Sequence, residues 1–349
     1  MIVTRTPFRV TLGGGGTDLP SFYERHGGFI FAMGIDKYMY IMLNPPTLDR
    51  KIRVQYSKSE IVDHADQLQH DLAREALRAH GIEEAMEISS LADLPAGVGL
   101  GSSSSYLVGF LTALREYRRV PGPPQTLAEE ACRIELDVLK KPIGKQDQYM
   151  AAFGGLTVLD IERDGRVKVR SARFQSATIF DFMANTHIYY TGVQRMATDI
   201  LAEQDAALRE APGRGPAPVA DSLQHIKEIG NQILEAIETE NFDDFGVLLH
   251  AHWEHKRRMS AKITLSTVDE LYDTVRERFG VLGGKIIGAG GGGFLMLYCP
   301  ARHRSLMEFM ERHAMPRLRY TVEFEGAKVV ANVFNSHRIG IDHRSQVHR

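Results

Sequence analysis

Three glycine-rich segments carry the residue types best suited to chemistry. The first, Leu94–Ser105, reads Leu-Pro-Ala-Gly-Val-Gly-Leu-Gly-Ser-Ser-Ser-Ser. In it Pro95, Gly97, Gly99, Leu100 and Gly101 make a loop whose glycines permit positive φ and close approach of a ligand to the backbone. Ser102, Ser103 and Ser104 then stand where a helix begins. A helix start offers unpaired N–H groups and a partial positive charge, which suit phosphate oxygens. The dipole contributes only about 0.3–1 kcal/mol, so backbone hydrogen bonds must supply most of the grip. A serine-capped turn is the plainer reading, but four serines exceed what a cap requires. The spacing and the lysine of a Walker A loop are absent.

The second segment, Thr4–Asp18, runs an apolar strand carrying Arg9 into Gly13, Gly14, Gly15 and Gly16, followed by Thr17 and Asp18. Glycine in regular structure costs roughly 0.5–1 kcal/mol relative to alanine. Four in a row exceed what a hairpin turn needs, so something is expected to approach that backbone closely. The third, Gly288–Gly293, includes Gly290 and Gly291 and fits the GxGxxG spacing. That fingerprint must open a helix. Phe294–Cys299 instead reads as a strand ended by Pro300, so a strand–loop–strand over a site is expected.

Several elements must position these segments. Strand-like runs at Phe8–Leu12, Phe29–Met33, Tyr38–Leu43 and Lys51–Tyr56 are punctuated by glycine or proline. Helical spacing follows over Ile61–His80, then a short strand at Met86–Ser90. Tyr106–Tyr117 and Ala128–Leu139 read as helices, and Thr157–Asp160 with Val167–Arg170 as a hairpin turning at Asp164-Gly165. After about residue 180 the pattern changes. A strand at His187–Tyr190 precedes helices at Met196–Glu210, Val219–Glu240, Asp244–Ser260 and Thr267–Phe279. The segment 211–218, Ala-Pro-Gly-Arg-Gly-Pro-Ala-Pro, suits a surface loop. The mixture is α+β, with two domains expected at 1–180 and 181–349.

Composition narrows the function classes. Hydrophobic residues at 43% and charged residues at 25% describe an ordinary globular protein, and a net charge of −2 offers no bulk attraction to nucleic acid or an anionic membrane. Local cations must carry any anion binding. No apolar run approaches the roughly 18–20 residues that span a bilayer. Cys132 and Cys299 have neither metal-type spacing nor a disulfide framework. A cytoplasmic protein is expected, with a homo-oligomer left open. His250, His252 and His255 share a helix with Trp253 but lack the HExxH spacing, so packing or surface roles are expected.

In their order and spacing the three segments resemble the GHMP kinase superfamily, which includes galactokinase, homoserine kinase, mevalonate kinase and phosphomevalonate kinase. The resemblance rests on Pro7–Val10 with Thr17-Asp18, on Gly99–Ser104 and on Gly288–Gly293. It implies a two-domain GHMP kinase fold, with a ribosomal protein S5 domain 2-like N-terminal domain and a ferredoxin-like C-terminal domain around a cleft for ATP, Mg2+ and substrate. Gly13–Pro20, Gly144–Tyr149, Tyr189–Arg195 and Gly283–Phe294 look most like the heptose 7-phosphate kinase branch. That branch phosphorylates an anomeric C1 hydroxyl. Where galactokinases carry a glutamate and a histidine, this chain has Gly15 and Gly16, which leaves room for a bulkier, anionic sugar phosphate. A fucose- or galactose-type C1-kinase, or a non-catalytic sensor of sugar and ATP, are the alternatives.

Roles follow from the resemblance residue by residue. Asp147 matches the catalytic aspartate that takes the hydroxyl proton, a step typically worth about 10²–10⁴-fold. Arg9 matches the arginine paired with it. Glu135 and Ser103 match the magnesium-binding pair. Thr17 and Asp18 would bind sugar hydroxyls, with Gly14, Gly144, Gly290 and Gly291 beside them. For the sugar's phosphate, Arg195 and Lys145 are the candidates, with Lys37 behind them.

Overall fold

The computed structural model describes residues 1–173, 176–194, 197–209, 218–260 and 263–333. Arg195 and residues 211–217 of the expected surface loop lie outside these. The first half contributes β1 (Ile2–Gly13), α1 (Pro20–His26), β2 (Gly28–Asn44), β3 (Ile52–Gln55), β4 (Ser59–Val62), α2 (Asp71–Ala79), β5 (Met86–Ala92), α3 (Ser102–Arg118), α4 (Pro124–Cys132), α5 (Gln146–Phe153), β6 (Leu156–Ile161) and β7 (Val167–Ser171). The second contributes α6 (Ser176–Asn185), β8 (Thr186–Tyr190), α7 (Ala197–Arg209), α8 (Pro218–Glu238), α9 (Phe242–Arg257), α10 (Ser266–Phe279), β9 (Gly283–Ile286), β10 (Phe294–Tyr298), α11 (His303–Arg312), β11 (Arg317–Leu318) and β12 (Lys328–Asn332).

The long strand β2 organises the first sheet. Its first half, Gly28–Ile35, is buried on both faces, as its unbroken apolar sequence requires. Beyond Lys37 the burial alternates, taking in Met39, Ile41 and Leu43. The two strands expected here are therefore one. Its first half pairs with β6 and its second with β5, while β1 runs along the other edge. A register irregularity, where Pro7 pairs with Tyr38 and Phe8 with Ile35, marks the change.

Three further elements differ from expectation. Ile61 and Val62 fit a helical period but belong to β4, which pairs antiparallel with β3. The helix starts only at Asp71, where His70 Nδ1 accepts from the Ala73 N–H at 3.3 Å. Helix α3 starts four residues earlier than its apolar face suggests, at Ser102. The helix expected over Ala128–Leu139 breaks after Cys132 into a π-helical turn, Arg133–Val138. The 157–170 hairpin forms as read, with β6 and β7 antiparallel.

The second sheet is antiparallel in the order β11-β8-β10-β9. Numbered within the sheet this is 4-1-3-2, the ferredoxin-like order. Its core gathers Trp253, Tyr272, Leu223 and Leu297. The expected break near residue 180 is crossed twice. Strand β12 returns to pair with β1 in the first sheet. Helix α8 crosses the end of β1 so closely that a Cβ on Gly13 would lie 2.9 Å from Gly230 Cα. That crossing anchors the tetraglycine turn. No helix among the described residues is long and apolar enough to cross a membrane, and both cysteines are free and buried.

Candidate active site

Gly97, Gly99 and Gly101 take φ values of 76°, 80° and 80°, the left-handed region that glycine alone enters cheaply. Gly101 caps α3 without a side chain to offer, which leaves the first-turn N–H groups to a ligand. Pro95, Gly97, Gly99, Gly101, Ser102, Ser103 and Ser104 line one cleft of about 950 Å3. Leu100 does not. It is buried, and its carbonyl accepts from the Arg9 N–H at 3.2 Å. The third glycine loop, a strand–loop–strand as expected, packs on the first. A Cβ on Gly288 would lie 2.6 Å from the Gly99 carbonyl, and one on Gly293 2.2 Å from that of Val98. Gly290 and Gly291, expected beside the sugar, instead lock this loop to Ile263, with the Gly291 N–H donating to its carbonyl at 2.7 Å. Gly288 and Ala289 are the residues that reach the cleft.

Under the start of α3, Arg9 from β1 meets Asp147 from the first turn of α5. Arg9 Nε donates to Asp147 Oδ1 at 2.7 Å, and one terminal nitrogen donates to the Gly99 carbonyl at 2.6 Å. Arg9 is 4% exposed, so its geometry is fixed by burial as well as by bonds. A Cβ on Gly101 would come within 3.3 Å of the Asp147 carboxylate. The phosphate-type cradle and the carboxylate therefore adjoin.

Asp18 lies beside this pair. Its Oδ2 accepts from the Gln146 N–H at 3.0 Å and its Oδ1 from the Gly16 N–H at 3.3 Å. Burial pushes its carboxyl up and the charge of Asp147 adds to this, while the bond from Gln146 opposes it. Gly144 must be glycine, because a Cβ there would lie 1.9 Å from Asp18 Oδ2. Gly15 and Gly16 line the cleft beside it. Gly14 holds the turn instead, with φ of 78° and no room for a Cβ against the Phe29 carbonyl.

Three expected sugar or phosphate contacts are spent elsewhere. Thr17 is fully buried, its hydroxyl donating to the Phe29 carbonyl at 2.7 Å and accepting from the Phe29 N–H at 3.0 Å. It pins the glycine turn to β2. Lys145 donates to the Gly165 carbonyl at 2.6 Å, away from the cleft. Lys37 pairs with Asp36 at 2.8 Å. Arg195 lies outside the described residues.

Glu135 sits in the π-helical turn, fully buried. It accepts from Ser104 at 2.7 Å, Gln148 Nε2 at 2.6 Å and Ser103 at 3.4 Å. Its nearest cation is Lys141 at 3.9 Å. Burial pushes its carboxyl up and Asp147 adds to this, with Ser104, Lys141 and Gln148 opposing. A buried carboxylate short of positive charge, flanked by hydroxyls, fits a hard divalent cation that keeps other ligands from phosphate and water.

The residues beyond the cradle were not legible in the sequence. Met39, Tyr56, His70, Leu91 and Tyr106 line one part of the cleft. The His70 ring lies 4.5 Å from that of Tyr56 and 4.8 Å from that of Tyr106. This aromatic, apolar part suits a flat base. From the second half of the chain Thr198, Gln204, Lys256 and Met259 line the same cleft. Their sequence signal was only that of amphipathic helices. His250, His252 and His255 assemble no metal-binding group among the described residues.

Comparison with known proteins agrees with this arrangement. Residues 63–155 match the GHMP kinases N terminal domain and residues 233–313 the GHMP kinases C terminal domain. A D-glycero-alpha-D-manno-heptose 7-phosphate kinase of Campylobacter jejuni is 25% identical, over 89% of this chain and 93% of that protein. An L-fucokinase/L-fucose-1-P guanylyltransferase of Bacteroides fragilis is 25% identical over 84% of this chain, which spans 34% of that protein. Among solved structures, a D-glycero-D-manno-heptose 1-phosphate kinase from Bacteroides thetaiotaomicron superposes with a TM-score of 0.76 at 21% identity, covering 96% of this chain and all of that one. Lactococcus lactis galactokinase with galactose gives 0.73 at 18% identity, covering 94% of each.

Proposed function

Because the chain belongs to the GHMP kinases, we propose that it is a sugar kinase transferring the γ-phosphoryl group of ATP to the anomeric C1 hydroxyl of D-glycero-D-manno-heptose 7-phosphate. The product is the 1,7-bisphosphate, an intermediate suited to making nucleotide-activated heptose for surface polysaccharide. The observation that carries this reading is the half-buried Arg9–Asp147 pair, 2.7 Å apart, between the uncapped start of α3 and the Asp18–Gly144 wall. Residues 1–180 supply most of the cradle, and the second half closes the cleft with its glycine loop and helices.

The chemistry divides among this chain's residues. N–H groups of the Ser102–Ser104 turn hold the nucleotide's phosphates where charge develops. Asp147 accepts the proton from the C1 hydroxyl as that oxygen bonds to the γ-phosphorus and the bond to the β-phosphate oxygen breaks, releasing ADP. Arg9 aims the Asp147 carboxylate and offsets negative charge at the attacking oxygen. Asp18 orients a neighbouring sugar hydroxyl. Glu135 with Ser103 and Ser104 would hold Mg2+, which neutralises charge on the transferred phosphates. Gly15 and Gly16 leave the acceptor side open, as a seven-carbon sugar phosphate requires.

ADP release measured with heptose 7-phosphate, the unphosphorylated heptose, mannose, fucose and galactose tests the reading. The highest kcat/KM is expected for heptose 7-phosphate. A free sugar with a higher value overturns it.

A further inference from the structure

A dianionic acceptor needs more positive charge than the pair already described supplies. The acceptor wall holds two carboxylates, Asp18 and Asp147, against one guanidinium, Arg9. Left so, this end of the cleft would repel a phosphate. The cations expected from the sequence do not correct it, since Lys145 and Lys37 are turned to other partners.

Among the described residues the lysines and arginines lining the cleft are Arg9, Lys141 and Lys256. Arg9 is committed to Asp147 and Gly99. Lys141 pairs with Asp71 at 3.3 Å and faces Glu135. Lys256, on the last turn of α9, makes no ion pair among the described residues and donates only to the Gly288 carbonyl. An ammonium has three donors, so two are left for a ligand. The side chain is 5% exposed. Burial pushes its pKa down to about 7 and Arg9 adds to this, while Asp18 opposes it. A buried charge without a paired anion destabilises the fold, a cost that an anionic ligand offsets.

A second donor lies in the same cleft. Gln204, on α7, is 3% exposed and lines the cleft, and its Nε2 has no hydrogen-bond partner among the described residues. It lies beside the tetraglycine turn, where a Cβ on Gly16 would come 3.8 Å from its Oε1. Buried polar groups are rarely left unpaired. Two buried polar side chains on different helices thus line one cleft, Gln204 beside the tetraglycine turn and Lys256 beside the third glycine loop.

We propose that Lys256 and Gln204 form the subsite for the phosphate that the acceptor sugar already carries. This rests on the sugar-phosphate reading above. The subsite makes phosphate on the acceptor a requirement for tight binding.

The test compares wild type with Lys256→Met and Gln204→Leu by steady-state ADP release, varying heptose 7-phosphate, the unphosphorylated heptose and ATP in turn. Removing a buried charge partner of a phosphate typically costs 10²-fold or more in affinity, and removing a neutral donor to it about tenfold. The ratio of kcat/KM for phosphorylated over unphosphorylated heptose should therefore fall about 100-fold in Lys256→Met and about tenfold in Gln204→Leu. The loss should lie in KM for the sugar phosphate. An equal loss for both sugars, or a loss in KM for ATP, overturns the subsite. A wild type that prefers the unphosphorylated sugar overturns the functional reading itself. Lys256→Met removes a buried charge and is expected to melt no lower than wild type. Gln204→Leu tests the same subsite independently.

Discussion

Arg9 and Asp147 come from elements far apart in sequence, and neither is expendable to the other. Arg9 is held by burial and by the Gly99 carbonyl, so its Nε can point only at Asp147 Oδ1. In the proposed mechanism that orientation makes Asp147 a base aimed at one place rather than a loop carboxylate. Asp147→Asn keeps the shape and removes the base, so ADP release should fall about 10²–10⁴-fold while KM for ATP stays close to wild type. Equal rates in wild type and variant would take Asp147 out of the mechanism. Glu135 admits a similar isosteric test. Glu135→Gln can still accept from Ser104 through its carbonyl oxygen, but it lacks the charge a divalent ion needs. Its half-saturating Mg2+ concentration should rise at least tenfold in a magnesium titration of ADP release. An unchanged titration curve would move the metal elsewhere.

At the scale of elements, the glycine segments are spacers cut to fit particular neighbours. Gly144 shows the strictest case, since a Cβ would lie 1.9 Å from Asp18 Oδ2. Gly15 has no such neighbour, and a Cβ there would meet only Thr11 Cγ2 at 3.4 Å. Gly144→Ala should therefore lower the melting temperature and abolish turnover, because Asp18 must leave its bond from Gln146. Gly15→Ala should melt with wild type and raise only KM for the sugar. Thermal melts and sugar titrations of both variants decide this, and a Gly144→Ala protein with wild-type melting and turnover would contradict the packing. The same contrast explains what was legible in the sequence. The three glycine segments and the strand–loop–strand at 283–298 could be read because glycine runs are costly, whereas Arg9, Asp18, Gly144 and Asp147 were singled out through the family resemblance, and the structure brings all four to one cleft. Thr17 and Lys145 could not be placed, because the partner that takes each side chain, Phe29 or Gly165, is set by tertiary packing. Ile61 and Val62 fit a helix by period, and only pairing with β3 makes them strand.

The whole molecule brings the two halves together around a cleft, and it does so by burying cations where they meet. Lys256, Lys285 and His252 are all at most 5% exposed. Lys285 donates to the Leu12 carbonyl at 2.9 Å, so it ties β9 to β1, while neither ring nitrogen of His252 has a partner among the described residues. Burial is the largest cause of the lowered pKa in each; the charge of Arg9 adds to it at Lys256, that of Lys256 at Lys285, and those of Lys285 and Lys256 at His252. The direction of the pH effect follows. A lysine with a folded pKa near 7 and an unfolded value near 10.4 is charged in both states below pH 7, where the cost of burying charge is fully present. Between about pH 7 and 10 the unfolded chain binds more protons than the folded one, so stability rises with pH. Melting temperature should therefore climb from about pH 7 to about 8.5, below the range where the raised thiols of Cys132 and Cys299 oppose the trend, and Lys256→Met should flatten the climb by removing the Lys256 share. The anion proposed for this subsite reverses the trend. A bound phosphate favours the ammonium, so the increase in melting temperature caused by heptose 7-phosphate should shrink as pH rises above 7 in wild type and be small at every pH in Lys256→Met. Melts at a series of pH values, with and without the sugar phosphate, measure both effects. A ligand-induced shift that grows with pH would mean that the phosphate binds somewhere other than beside Lys256.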